Sequence, residues 1–290
     1  EIIDGCFKLM AKPKGNTMNF PIDILFNSLA KYKKEKAIGI ILSGTGSDGT
    51  RGLKTIKECE GLIMVQDPEE AKFDGMPRSA IKTGLADFIL PVDQMGKELK
   101  HFIKNSFANP LMKYQEIEYD KEAIKKILHL VDQKTNLAFS NYKYATLSRR
   151  LIRRFQVCKC NTFQEYQDYV EKNKAELHLL AKEFLIGVTQ FFRDEEVWIK
   201  LQDEIIPQVV AKINPNETQK IWNIAGSTGE EAYSIAILVN EEIEHQVKNV
   251  KVKIFATDVS QDFLNIASTG IYPESIAAEM DPYLLNKYFT

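Results

Sequence analysis

The stretch Ile221-Trp222-Asn223-Ile224-Ala225-Gly226-Ser227-Thr228-Gly229-Glu230-Glu231-Ala232-Tyr233-Ser234 has the residue types and spacing of a ligand-binding turn. An apolar run, Ile221 to Ala225, reads as a buried strand and gives way to small residues. Glu230 to Val239 then shows apolar residues at helical spacing and opens on two acids. A second strand, Val252 to Ala256, leads to Asp258. In doubly wound sheets the first strand-to-helix turn lets a ligand approach the backbone, and an acid ending the second strand can accept hydrogen bonds from ribose hydroxyls. The pair suggests an adenosine-containing ligand.

Charge and glycine count narrow the choice. A dinucleotide fold presents Gly-x-Gly-x-x-Gly and rests a pyrophosphate on the helix N-terminus. Here the turn has Gly226 and Gly229, followed at once by Glu230 and Glu231, which would repel that group. A nicotinamide dinucleotide is therefore disfavoured, whereas the sulfonium and ammonium of S-adenosylmethionine suit paired carboxylates. The same acids also complement the positive end of a helix dipole, so spacing alone leaves a purely structural role open.

Four blocks in order resemble the CheR-type chemotaxis protein-glutamate methyltransferases, over a span from about Tyr119 to Thr290. They are Tyr144-Ala145-Thr146-Leu147-Ser148-Arg149-Arg150-Leu151-Ile152-Arg153-Arg154-Phe155, Val188-Thr189-Gln190-Phe191-Phe192-Arg193-Asp194, the Ser227 to Ser234 turn, and Phe255-Ala256-Thr257-Asp258. The resemblance implies S-adenosylmethionine as cofactor. It assigns Thr189 and Arg193 to the methionyl end, Glu231 to the ligand's polar groups and Asp258 to the ribose hydroxyls. The partner it implies is a glutamate-rich chemoreceptor helix. Gly187 departs from the pattern, since some members place there an asparagine that contacts the cofactor. The family also continues past the point reached at Thr290, so a piece of a longer protein is expected.

The basic block can be read without the family. From Lys121 to Arg154 there are nine Lys or Arg against two acids, Glu122 and Asp132. On a helix, Arg149, Arg150, Arg153 and Arg154 share an arc of roughly 140°, opposite Leu147, Leu151, Ile152 and Phe155. One face is expected to pack and the other to meet something anionic or simply water. Aromatics for base stacking are not interleaved, which argues against nucleic acid. In the family the matching helix lies near the receptor, so these arginines become candidate substrate-binding residues.

The N-terminal third holds a second glycine loop. Ile38 to Leu42 reads as a buried parallel strand and empties into Ser43-Gly44-Thr45-Gly46-Ser47-Asp48-Gly49-Thr50-Arg51-Gly52. No Lys-Ser/Thr pair follows, as a nucleotide loop requires. With Phe20 to Phe26 upstream and Asp74-Gly75-Met76-Pro77-Arg78-Ser79-Ala80 downstream, it resembles the C-terminal half of the CheB-type chemotaxis methylesterase domain, over about Glu1 to Ile103. That family's loop aspartate is the acid of a Ser-His-Asp triad, a role that falls on Asp48. His101, His129, His178 and His245 all follow the loop, and the family's serine and histidine precede it. Residues 1 to 290 alone are thus expected to lack turnover, and a non-catalytic docking module of a signalling fusion is the alternative.

The fold class expected is α/β. A partial parallel-sheet esterase domain occupies 1–105, followed by a linker over 106–117 and a small all-helical domain over 118–203. The first half of a Rossmann-like methyltransferase domain follows over 204–290. The chain has 290 residues and a formal charge of -2, with no run apolar enough to span a bilayer, and a cleavable leader is not expected. No direct membrane insertion and a cytoplasmic location are expected. Cys6, Cys59, Cys158 and Cys160 give no metal-binding spacing.

Overall fold

A computed structural model describes residues 1–11, 19–107, 121–135, 137–160, 162–185, 187–214 and 217–290. The expected linker lies, from residue 108 on, outside the described residues.

The first segment opens with a two-stranded antiparallel pair, β1 (Ile2–Ile3) and β2 (Cys6–Phe7). It continues through α1 (Pro21–Lys33), β3 (Ile38–Ile41), α2 (Thr50–Glu58), β4 (Leu62–Gln66), α3 (Gly75–Lys82), β5 (Phe88–Leu90) and α4 (Val92–Phe107). The strands β3, β4 and β5 form one parallel sheet in that order. Every residue of β4 is buried, and its apolar run Leu62 to Val65 suits a central parallel strand. Leu53 and Ile56 of α2 seal one face with Phe26 and Ala30 of α1, while Met95 and Phe102 of α4 seal the other.

The helical segment comprises α5 (Lys121–Thr135), α6 (Tyr144–Val157), α7 (Phe163–Lys172) and α8 (Lys174–Phe184). Thr162 caps α7 by accepting from the Glu165 N–H, and Asn173 caps α8 by accepting from Ala175 and Glu176. Ile124, Ile127, Leu147, Leu151, Tyr166 and Leu180 form its core.

The third segment contains α9 (Glu195–Lys200), α10 (Ile206–Ala211), β6 (Thr218–Ile224), α11 (Glu230–His245), β7 (Lys251–Thr257), α12 (Gln261–Thr269) and α13 (Pro282–Tyr288). Strands β6 and β7 are parallel, with Trp222 opposite Phe255. Trp198 and Leu201 pack with Val210, Leu238 and Val239, so this body draws on residues ahead of the division expected at Glu204. The sheet face carrying Trp222, Ile224 and Phe255 is open, with these side chains 67%, 65% and 50% exposed. No helix among the described residues is long and apolar enough to cross a membrane.

The open basic arc expected on α6 is corrected by the structure. Arg153 and Arg154 are both buried, and complementary carboxylates surround them. Arg154 grips Glu176 with two nitrogens, at 3.0 and 2.5 Å, and Tyr166 donates to the same carboxylate at 2.9 Å. Arg153 pairs with Asp87 of the first segment and approaches Glu183 at 3.9 Å. Arg150 donates to the Glu183 and Phe184 carbonyls at 3.0 Å each, closing the C-terminal end of α8. Arg149 alone of the four is exposed, and its Nε donates to Glu60 at 2.9 Å. Sequence spacing placed the four on one arc, but carboxylates distant in sequence decide what that arc faces.

Asp87 also accepts from Lys57 at 2.9 Å, and Lys57 reaches Glu183 at 2.9 Å. Burial by itself raises the Asp87 carboxyl; Arg153, Lys57 and the Ile63 N–H together outweigh it and hold it below the ordinary range. Such a group contributes stability above its unfolded-state value, near ~3.9, and loses it as pH falls through the depressed folded value. Denaturant midpoints of wild type should therefore exceed those of Asp87→Asn near neutral pH, and the gap should close on acidification below about pH 4. A gap that persists unchanged in acid would remove Asp87 as its source. Separately, Arg154→Met should cost about 3 to 5 kcal/mol by leaving Glu176 buried and unpaired, with part of the loss recovered in the Arg154→Met/Glu176→Leu double variant. The check is the urea midpoint of each.

Candidate functional site

The turn between β6 and α11 is held open by backbone geometry. Ala225 and Ser227 have φ of 58° and 49°, and Gly229 has φ of 97°. Left-handed backbone at a residue with a Cβ costs about 1 to 3 kcal/mol and persists only where neighbours fix it. The fixing bonds are present. The Gly226 N–H donates to the Thr257 carbonyl at 3.0 Å, and the Ser227 N–H donates to Asp258 Oδ2 at 2.9 Å. Asp258 Oδ1 accepts from the Ser260 N–H at 2.8 Å, tying the end of β7 to the start of α12. Tyr272 closes another side by donating its hydroxyl to the Thr228 carbonyl at 2.8 Å.

The two acids that open α11 separate in role. Glu230 is 3% exposed and pairs with Lys54 of α2 at 3.1 Å, while the Thr228 hydroxyl donates to its other oxygen. It is therefore not free to meet a ligand charge, as the sequence suggested for both acids. Glu231 is exposed and accepts from Asn223 Nδ2 at 2.6 Å. Beside it, Asn223 Oδ1 and Ser227 Oγ are buried with no hydrogen-bond partner. Beneath a turn of small residues, Asn223 Oδ1 and Ser227 Oγ thus keep unused hydrogen-bonding capacity beside an exposed carboxylate.

The segment from Gly187 to Asp194 lies against this turn. A Cβ at Gly187 would come within 2.4 Å of Ser227 Oγ and 2.5 Å of the Phe263 ring, which gives a physical reason for glycine there. Phe191 is buried and anchors among Ile276, Met280 and Phe289, with its ring edge-on to Tyr272. The Phe192 N–H donates to Ser234 Oγ at 3.1 Å, and Ser234 in turn donates to the Glu230 carbonyl at 2.7 Å. Phe192 and Asp194 are again left-handed, with φ of 51° and 60°. Thr189, Glu231 and Asp258 are thus gathered around one turn. Arg193 is directed elsewhere: Nη1 donates to the Val188 carbonyl at 2.6 Å and Nη2 to Glu58 at 3.0 Å.

Asp48 stands in the other glycine loop, just ahead of α2. Its two oxygens accept from the Ile22 and Asp23 N–H groups at 3.1 and 3.0 Å, so it caps the N-terminus of α1. Lys54, Glu58, Glu279 and Asn223 were not singled out by sequence reasoning. Lys54 contacts residues 135 and 176 positions away, beyond any local pattern. The only available signal was the stripe Arg51, Lys54, Lys57 at successive helical turns.

Comparison with known proteins matches the geometry segment by segment. The family model for CheB methylesterase matches residues 3–99, that for the CheR methyltransferase all-alpha domain matches 122–185, and that for the CheR methyltransferase SAM binding domain matches 187–290. The chain carries a CheB segment followed by both CheR domains. The third segment accordingly matches a domain described as binding S-adenosylmethionine. A 104.1 kDa uncharacterized protein of Rhodobacter capsulatus, from the hypE 3′ region, is 32% identical over 99% of this chain and 32% of its own length. A chemotaxis protein methyltransferase of Borreliella burgdorferi is 33% identical over 59% of this chain and 62% of its own. A protein-glutamate methylesterase/protein-glutamine glutaminase of Chromobacterium violaceum is 37% identical over 34% of this chain and 26% of its own. The chain spans about a third of the first relative and under two thirds of the second.

Gly187→Ala should lower the unfolding midpoint by an amount equivalent to about 1 to 3 kcal/mol, since Ser227 and Phe263 must move to admit the methyl group. An unchanged thermal midpoint would mean that both neighbours yield freely.

Proposed function

We propose that the whole protein methylates glutamate side chains of a chemoreceptor in the cytoplasm, with the third segment holding S-adenosylmethionine. The observation that carries this reading is the cradle of Asn223, Ser227 and exposed Glu231 between β6 and α11, with Asp258 at the end of the neighbouring strand. When bound, S-adenosylmethionine supplies an electrophilic methyl group. Asp258 would accept from ribose hydroxyls with lone pairs that Ser227 and Ser260 leave available. Glu231 would meet the ligand's polar groups, and Thr189 and Arg193 its methionyl end. Arg193 would need to turn from Glu58 to do so, while keeping further N–H donors on the same guanidinium.

The acceptor glutamate is ionised at neutral pH, with an ordinary pKa near ~4.3, so the chain need provide no general base. Its contribution is placement, which can supply roughly 7 to 11 kcal/mol of a barrier. Of the four arginines first considered for the receptor, Arg149 is the one exposed enough to reach a receptor carboxylate, exchanging it for Glu60. The CheB segment is proposed to use Asp48 in hydrolysing the same ester. The carboxylate has acceptor capacity beyond the two N–H groups of α1.

Calorimetric titration of the full-length protein with S-adenosylhomocysteine, paired with transfer of labelled methyl to receptor glutamates, tests the proposal. Absence of both would reject it. Asp258→Ala should weaken binding by about 1.5 to 3 kcal/mol, the range for hydrogen bonds to a charged group. Unaltered affinity in a folded variant would take Asp258 out of the site.

A further inference from the structure

The helix α2 belongs to the CheB segment, yet its charged side chains reach both later segments, and three of them meet the one that would hold the cofactor. Arg51 pairs with Glu279 at 2.9 Å, Lys54 with Glu230 at 3.1 Å, Lys57 with Glu183 at 2.9 Å, and Glu58 with Arg193 at 3.0 Å. The Lys54 ammonium also donates to the Thr189 carbonyl at 2.9 Å. One cation thus joins the Thr189 segment to the first residue of α11. Arg149 with Glu60 and Lys159 with Glu98 instead join the first segment to the helical one through exposed cations, and touch neither the turn nor the Thr189 segment.

The Thr189 to Asp194 stretch forms no strand or helix of its own, and two of its residues hold left-handed backbone. Such a stretch keeps its shape only through external tethers. Four are present: Lys54 on the Thr189 carbonyl, Glu279 on the Phe191 N–H at 2.9 Å, Ser234 on the Phe192 N–H, and Glu58 on Arg193. Two of these come from α2 directly. A third, Glu279, lies in the third segment and is ion-paired with Arg51 of α2. Ser234 and the packing of Phe191 among Ile276, Met280 and Phe289 are independent of the CheB segment. Glu230, buried under the turn, would keep, among the described residues, the Thr228 hydroxyl as its one side-chain partner if Lys54 were absent.

We infer that the CheB segment completes the methyltransferase's cofactor site, with Lys54 as a positioning residue that fixes the Thr189 segment against the turn at Glu230. This rests on the reading of that turn as the S-adenosylmethionine site. Lys54 touches no ligand in this scheme; it acts through the Thr189 carbonyl and Glu230. The two halves of the chain are then energetically linked, and whatever shifts α2 changes cofactor affinity, with the reverse effect required by reciprocity.

The test uses the full-length protein and S-adenosylhomocysteine as probe. Lys54→Ala should weaken calorimetric affinity by about tenfold, the size of one lost charge-assisted contact. It should raise KM for S-adenosylmethionine with kcat little changed, because placement of the cofactor rather than the transfer step is affected. Lys54→Arg, still cationic and able to reach both acceptors, should restore most of the affinity. Lys159→Ala, which removes an exposed link between the first segment and the helical one, should bind like wild type. Equal affinity of Lys54→Ala and wild type overturns the inference, as does an equal loss in Lys159→Ala, which would reduce the effect to general docking. Should Lys54→Ala fail to fold, Lys54→Gln retains N–H donors without the charge, and its affinity decides in the same way. Failure of the wild-type protein itself to bind the probe would reject the functional reading instead, so the two failures are distinguishable.

Discussion

Four charged side chains, Lys57, Asp87, Arg153 and Glu183, meet out of water where the first segment touches the helical one, each no more than 8% exposed. Moving such groups from water costs several kcal/mol apiece, and that cost is offset only when opposite charges and hydrogen bonds are all in place. The docked arrangement sets two cations against two anions, with Arg153 Nε and Glu183 Oε1 left without a hydrogen-bond partner among the described residues. Separating the segments would rehydrate all four groups, while removing any one would leave a buried charge uncompensated. The constraint therefore acts less as glue than as register: it admits one relative placement of α2 and α6. The contacts of Arg51, Lys54 and Glu58 with the third segment follow from that placement.

Local features of the fold were legible in the sequence because local physics decides them. The apolar run at Ile38, the small-residue turn after Ile224 and the cap at Thr162 each specify an element through residues within a few positions of one another. The strand end at Asp258 was legible for the same reason. What the sequence could not reveal was which long-range carboxylate each cation meets. The arc on α6 was correctly periodic, yet periodicity does not distinguish water from Asp87 and Glu176 as the surroundings of a guanidinium. Glu230 and Glu231 are equivalent by composition and adjacent by position. A helix turns about 100° per residue, so one faces inward to Lys54 and the other outward to the cradle.

The turn and the Thr189 segment show how conformational strain is shared between segments. Ala225, Ser227, Phe192 and Asp194 all adopt backbone that a side chain disfavours, and all lie within the region that would hold the cofactor. The opposing bonds come from three sources: β7 through Thr257 and Asp258, α11 through Ser234, and the CheB segment through α2. Backbone fixed by such bonds is ordered without a ligand, which would lower the ordering cost of binding at the proposed cofactor site.

The two tryptophans of the chain sit in opposite surroundings, and this gives the third segment its own optical readout. Trp198 is 8% exposed in the core beside Phe192, whereas Trp222 is 67% exposed on the open face of β6, its indole N–H on Thr257 at 3.0 Å. An indole in an apolar core emits at shorter wavelength than one in water and is shielded from soluble quenchers. Iodide or acrylamide would therefore extinguish one emitter and spare the other. Loss of the core and coverage of the sheet face become separable spectral events without any added label.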